Sequence, residues 1–225
     1  MSEIKVFKEV CNMASIKWLL NNLAGQTEAR LQAEKEVALL MEQANMKLDI
    51  LENELKDLFK NKELERQIPI IGDEIGPFER EYRLNYEDGN VSDAVDSLVN
   101  QIMDIGSERI QQIIAKAITN ALNAMFTNVE TSEEERRLFI IALEGVKLVR
   151  YDIYVWRKTE LDSGLFKYAK SVVAITYARS IVDLAKCPEE EINDAIYASL
   201  STAGIEDILE YKKILVELFK VRPCL

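Results

Sequence analysis

The feature that most constrains the fold is a long stretch without glycine or proline, from Glu28 to Gln67. Within it, apolar residues recur in alternating steps of four and three positions over about three heptads. The members of this heptad seam are Val37, Met41, Ala44, Leu48, Leu51, Leu55 and Leu58. Such spacing places them all on one side of an α-helix that would be about 60 Å long. The seam therefore predicts a long helix with a partner helix, from this chain or from another copy.

Apolar residues recur at helical spacing in six further stretches, most of which have capping residues or glycine near their ends. These stretches are 3–23, 91–127, 131–161, 165–186, 188–203 and 205–221. We expect an all-α fold, an elongated multi-helix bundle of about seven helices, in which 28–67 and 91–127 form a long antiparallel hairpin. The predicted domains are this hairpin, residues 1–130, and a C-terminal helical bundle, residues 131–225. One continuous domain, 1–225, is the alternative.

Residues 68–90 form a predicted non-helical tip of the hairpin, because two prolines and two glycines fall within 68–78. Residues 79–88 alternate weakly between apolar and polar, which indicates a short strand paired back on 68–71, as in a β-hairpin, or an irregular loop. Apolar residues on a loop either pack back on the protein or bind a partner. The candidates for binding at the tip are Ile70, Ile71, Ile75 and Phe78.

The net charge of -11 is unevenly distributed along the chain. Residues 71–130 carry a charge of -7, whereas residues 136–179 carry +5. If 131–161 is helical, one face presents a basic stripe, with Arg136 on nearly the same line: Arg136, Lys147, Arg150, Tyr154 and Arg157. This stripe indicates an anion-binding surface, for phosphates or an acidic partner, with the tyrosine as a stacking platform. The alternative is the solvated face of a bundle helix.

The chain has no histidine, which excludes every catalytic or metal site that requires an imidazole. Its three cysteines are too few for a four-cysteine metal site, and they are too widely spaced for a disulfide framework. No phosphate-binding glycine motif occurs, and the acidic clusters are typical of helix N-termini. We therefore expect a protein that is not an enzyme and binds no metal or cofactor.

The function predicted from these features is that of a non-enzymatic helical interaction or scaffold protein. It would bind protein partners, or form a homo-oligomer, through the tip or the seam; the seam residues concerned are Val37, Met41, Leu48, Leu51, Leu55 and Leu58. One alternative is an accessory subunit of a nucleic-acid-processing complex, although the acidic net charge disfavours it. Another is a membrane-active, pore-forming-like helical protein. No signal peptide or transmembrane segment is evident, so the expected location is the cytoplasm.

Overall fold

The computed structural model describes residues 21, 25–60, 70, 78–84, 108–127, 132–144, 147–160, 171–183, 186, 188–201 and 204–220. Four helices and four strands occur in this part of the chain. In chain order they are α1 (Thr27–Lys60), β1 (Glu79–Leu84), α2 (Glu108–Thr127), β2 (Glu133–Glu144), β3 (Lys147–Thr159), β4 (Ser171–Ile181), α3 (Glu189–Ser199) and α4 (Ile205–Lys220). The predicted helix 3–23 lies almost entirely outside the described residues.

The four strands form one antiparallel sheet in the order β1-β4-β3-β2. At the end of the β2–β3 hairpin Glu144 pairs with Lys147, so only two residues separate the strands. Gly145 is the first of these two, and glycine at that position is a sequence signal of a two-residue hairpin connection. Beyond β4, Val182 forms an isolated bridge with Ile70.

The all-α prediction, and with it the coiled-coil interpretation, is wrong because the chain has this sheet. The predicted helix 131–161 is the β2–β3 hairpin, and the predicted helix 165–186 contains β4. Helices cover both faces of the sheet, so nearly every residue in the middle of β3 and β4 is buried. Strands buried on both faces read as continuous apolar runs, and such runs also satisfy a helical period.

The sheet lies between two helical layers. Helix α1 begins after Gly25, whose φ of 88° is strained for residues with a Cβ, and covers one face over β4, β1 and β3. Helices α2, α3 and α4 cover the other face, where α2 and α3 contact β2. The predicted hairpin of 28–67 with 91–127 is therefore not formed, since the sheet separates α1 from α2.

The predicted tip is also corrected. A strand does occur within 79–88, but its partner in the described part of the chain is β4. Ile70 bridges Val182, and the other residues of 68–71 lie outside the described residues. The domain boundary near residue 130 stays a prediction. The apolar cluster beneath α1 contains residues from both sides of that boundary, such as Leu51 and Trp156.

Candidate interaction surface

The heptad seam is the buried side of α1. Val37, Leu48, Leu51 and Leu55 are buried, and Met41 and Leu58 are partly buried against the same cluster. The sheet residues of that cluster are Tyr154, Trp156, Val172, Ala174 and Ala178. The seam thus has the partner that its spacing requires, but this partner is the sheet and not a second helix.

Charged residues beside the seam bind the sheet. The Lys47 ammonium lies 2.8 Å from the Glu135 carboxylate on β2. The Arg137 guanidinium of β2 lies 2.9 Å from the Glu54 carboxylate. These side chains flank the apolar contact, so their ion pairs add to the docking of α1 on the sheet.

Glu135 is the best-defined titrating group of this contact. It accepts hydrogen bonds from Arg137 at 2.8 and 3.0 Å in addition to its ion pair with Lys47. Partial burial by itself would raise the pKa of this carboxyl, but the hydrogen bonds and charges of Lys47 and Arg137 outweigh burial and lower the pKa. The ionised carboxylate therefore contributes to the stability of the folded chain.

The side of α1 that faces away from the sheet carries a second apolar row, the outer stripe. Its members, with their exposed fractions, are Leu31 (52%), Leu39 (43%), Met46 (60%) and Ile50 (49%). Leu39, Met46 and Ile50 follow one another in steps of seven and four, and a helix of 3.6 residues per turn places such positions on one side. From Leu31 to Ile50 the stripe extends about 28 Å at 1.5 Å per residue.

The surroundings of the outer stripe are mostly acidic. Glu42 and Asp57 are exposed on this side of α1, and so is the cation Lys35. Exposed apolar residues in a row on a helix, bordered by charge, are a feature of protein-binding surfaces.

The tip residues that the structure describes pack back on the protein. Ile70 is buried and bridges Val182, while Phe78 is half-buried against the cluster beneath α1. The Lys56 ammonium lies 5.2 Å from the centre of the Phe78 ring. Ile71 and Ile75 lie outside the described residues, so binding by the tip stays a prediction.

The predicted basic stripe does not form a single surface, because its members lie on strands. Arg150 and Tyr154 point to the α1 side of the sheet, whereas Arg136 and Arg157 point to the opposite side, and Lys147 is exposed at the start of β3. The predicted helical alignment is therefore wrong. Binding of anions by these residues individually stays a prediction.

The arginines of this set lie beside carboxylates. Arg150 is bidentate on Asp152, at 2.7 Å, and its guanidinium stacks 4.8 Å from the Phe139 ring centre. Arg136 lies 2.8 Å from Glu134, and Arg157 lies 3.6 Å from the same carboxylate. These pairs give the arginines structural roles within the sheet.

A small cavity of about 180 Å³ lies between α2, β2 and the end of α3. It is lined mainly by apolar groups, among them Ala117, Ile118 and Leu138. Sites for small molecules generally measure about 300–1,000 Å³. Burial raises the pKa of Tyr151 on β3 to about 12. Among the described residues, no cluster of acidic or thiol side chains has the geometry to hold a metal ion.

Sequence reasoning missed the outer stripe, although its signal is present. The heptad seam accounts for one side of 28–67, yet Leu31, Leu39, Met46 and Ile50 fall off the seam. On a helix that buries one face, apolar residues at helical spacing on the other face indicate a second contact.

No protein-family model, curated protein or solved structure matches this chain significantly. In the part of the chain that the structure describes, no helix is both long enough and apolar enough to span a membrane.

Proposed function

We propose that this chain is a non-enzymatic interaction protein that binds a protein partner through the outer stripe of α1. The observation that carries the proposal is the coexistence of two apolar rows on one helix. The seam packs against the sheet, whereas Leu39, Met46 and Ile50 are exposed and belong to neither apolar cluster of the described residues. Single exposed apolar residues need no explanation, but four on one helix side are what a partner would bury.

The apolar row and its acidic surroundings indicate the kind of partner segment that would bind there. An amphipathic segment with apolar residues over a comparable length would bury the row, and basic residues at its margins would complement Glu42 and Asp57. Burying the apolar surface of the row would stabilise such a contact by about 25 cal/mol per Å². The cytoplasm remains the proposed location, since a chain with three widely spaced cysteines is typical of a reducing compartment.

The proposal is tested by affinity purification of the tagged full chain from its native cell. We compare wild type with Leu39→Ser/Met46→Ser/Ile50→Ser, which makes the stripe polar. The matched control is Tyr197→Ser/Ile205→Ser/Leu209→Ser, which removes three exposed apolar residues from the opposite helical layer. The proposal is supported by a protein that wild type and the control retain and the stripe variant loses. The same protein should also bind the purified wild-type chain. Equal retention by all three chains contradicts the proposal.

A further inference from the structure

Strand β2 lies at an edge of the sheet, with β3 on its inner side. Among the described residues, no strand pairs with its outer side. The C-terminal half of β2 is covered, because Ile140, Ile141 and Ala142 are buried and Tyr211 of α4 bonds the Ile141 carbonyl. In the N-terminal half the side chains are exposed or half-buried, from Glu133 to Phe139.

The hydrogen-bond pattern identifies which backbone groups of β2 point outward. The Ser132 carbonyl accepts a bond from the Thr159 amide, so the even-numbered residues of β2 bond to β3. The odd-numbered residues direct their N–H and C=O groups away from the sheet. Tyr211 confirms this alternation, since its hydroxyl bonds the Ile141 carbonyl from outside at 2.6 Å. The outward groups of the uncovered half belong to Glu133, Glu135, Arg137 and Phe139.

The charges along this half are ordered in two blocks, with three glutamates followed by two arginines in 133–137. Charged residues usually protect an edge strand from pairing. This order is complementary to itself, however, when two copies run antiparallel. A two-fold axis perpendicular to the sheet keeps corresponding faces of the two copies on the same side. Because side chains alternate between the faces, such an axis places odd-numbered residues opposite odd-numbered ones and even-numbered residues opposite even-numbered ones.

We propose that the N-terminal half of β2 pairs antiparallel with the same segment of a second copy, with Glu135 of each copy at the two-fold axis. In this register Glu133 lies opposite Arg137 of the second copy, and Glu134 lies opposite Arg136. All hydrogen-bonded pairs then use outward-pointing groups, which gives about six backbone hydrogen bonds. The two sheets become one continuous sheet across the axis.

The like-charged pair at the axis is compensated within each copy. Glu135 is bound by Lys47 at 2.8 Å and by Arg137 at 2.8 Å, so its charge is already balanced. The neighbouring symmetric register is less favourable. It would place Arg136 of the two copies opposite each other and Glu134 opposite Leu138. Fewer opposite charges are then paired than in the proposed register. This dimer is independent of the outer stripe, which lies on the far side of α1.

A pair of complementary variants tests the dimer. Arg136→Glu/Arg137→Glu makes the segment wholly acidic, and Glu133→Arg/Glu134→Arg makes it mostly basic. Each variant opposes like charges in its own dimer, whereas a mixture of the two restores every complementary pair. We measure mass by sedimentation equilibrium in reducing buffer, from about micromolar to about millimolar concentration. Circular dichroism establishes that each variant is folded.

We expect wild type to dimerise, each variant to associate at least about tenfold more weakly, and the mixture to form a heterodimer. A wild type that stays monomeric throughout, or an acidic variant that dimerises as well as wild type, overturns the proposal.

Glu135→Pro provides a second variant with the charge arrangement of 136 and 137 intact. It removes one outward N–H and no bond to β3, so it should abolish dimerisation and leave the monomer folded. Dimerisation of a folded Glu135→Pro chain at wild-type strength also overturns the proposal.

Discussion

The hydroxyl of Tyr211 on α4 donates a hydrogen bond of 2.6 Å to the backbone carbonyl of Ile141 on β2. The tyrosine is fully buried, and the carbonyl belongs to the outer row of the edge strand. One bond thus satisfies a polar side chain inside the core and an edge group that the sheet itself leaves unpaired.

Removing this hydroxyl should destabilise the fold. We expect Tyr211→Phe to lower the free energy of unfolding by about 1–2 kcal/mol, because the Ile141 carbonyl would be buried without a donor. Denaturant unfolding measures the change. Tyr197→Phe is the matched control, since Tyr197 is exposed on α3. A loss no larger than that of the control would show that the bond contributes little.

Truncating a side chain should destabilise the fold much more on the buried face of α1 than on its exposed face. Leu51 is fully buried and Ile50, its neighbour in the chain, is 49% exposed. We expect Leu51→Ala to cost about 2–5 kcal/mol, from lost burial and the cavity left behind. Ile50→Ala should change the free energy of unfolding by less than about 0.5 kcal/mol. Thermal or denaturant melts of the two variants compare them directly, and similar losses would contradict the assigned orientation of the helix.

The Glu135 carboxylate should make stability depend on pH. Its pKa is lowered in the folded chain from the ordinary value of 4.5, so it contributes stability above that pH. The contribution is lost as pH falls through the lowered folded pKa. The unfolding free energies of wild type and Glu135→Gln should therefore differ most above pH 4.5 and converge in stronger acid. In a Lys47→Met background the effect of Glu135→Gln should shrink, and an undiminished effect would exclude Lys47 as a cause.

The pair formed by Arg150 and Asp152 should be costly to break on one side. Both side chains are largely buried, and their closest atoms lie 2.7 Å apart. Asp152→Ala leaves the guanidinium buried without its carboxylate, for which we expect a loss of about 3–5 kcal/mol. The double variant Arg150→Met/Asp152→Ala should be less destabilised than Asp152→Ala alone. Denaturant melts in a double-mutant cycle test this, and additive losses would contradict it.

Much of the helical structure follows from the sequence. The heptad seam correctly predicts α1 and its buried side, and the predicted helix 188–203 contains the shorter helix α3. The identity of the surface that covers the seam does not follow, because apolar spacing specifies a buried face and not what buries it. A sheet and a second helix satisfy the same pattern.

The sheet itself was missed for a local reason. Residues 133–138 consist of glutamate, arginine and leucine, all good helix formers, and they follow a serine that resembles a helix cap. In β3 and β4 the β-branched and aromatic residues favour strands, as in Ser171–Ile181, and this preference was the available signal. Burial on both faces removed the alternation that would have distinguished a strand from a helix.

The candidate surfaces were predictable to different degrees. The outer stripe can be found from spacing alone once the seam is subtracted, since Leu39, Met46 and Ile50 recur at helical positions. The charge order of β2 is visible in the sequence but has meaning only for a strand at a sheet edge. Strand order depends on contacts between distant segments, which local patterns do not encode.

The central claim is that the outer stripe binds a protein partner. The most direct measurement is photo-crosslinking in the native cell, with a photoreactive amino acid in place of Met46 and, as control, in place of the exposed Leu209. We predict a protein adduct at position 46 that is suppressed by excess wild-type chain and not by Leu39→Ser/Met46→Ser/Ile50→Ser. No adduct at position 46, or the same adducts at both positions, would contradict the claim.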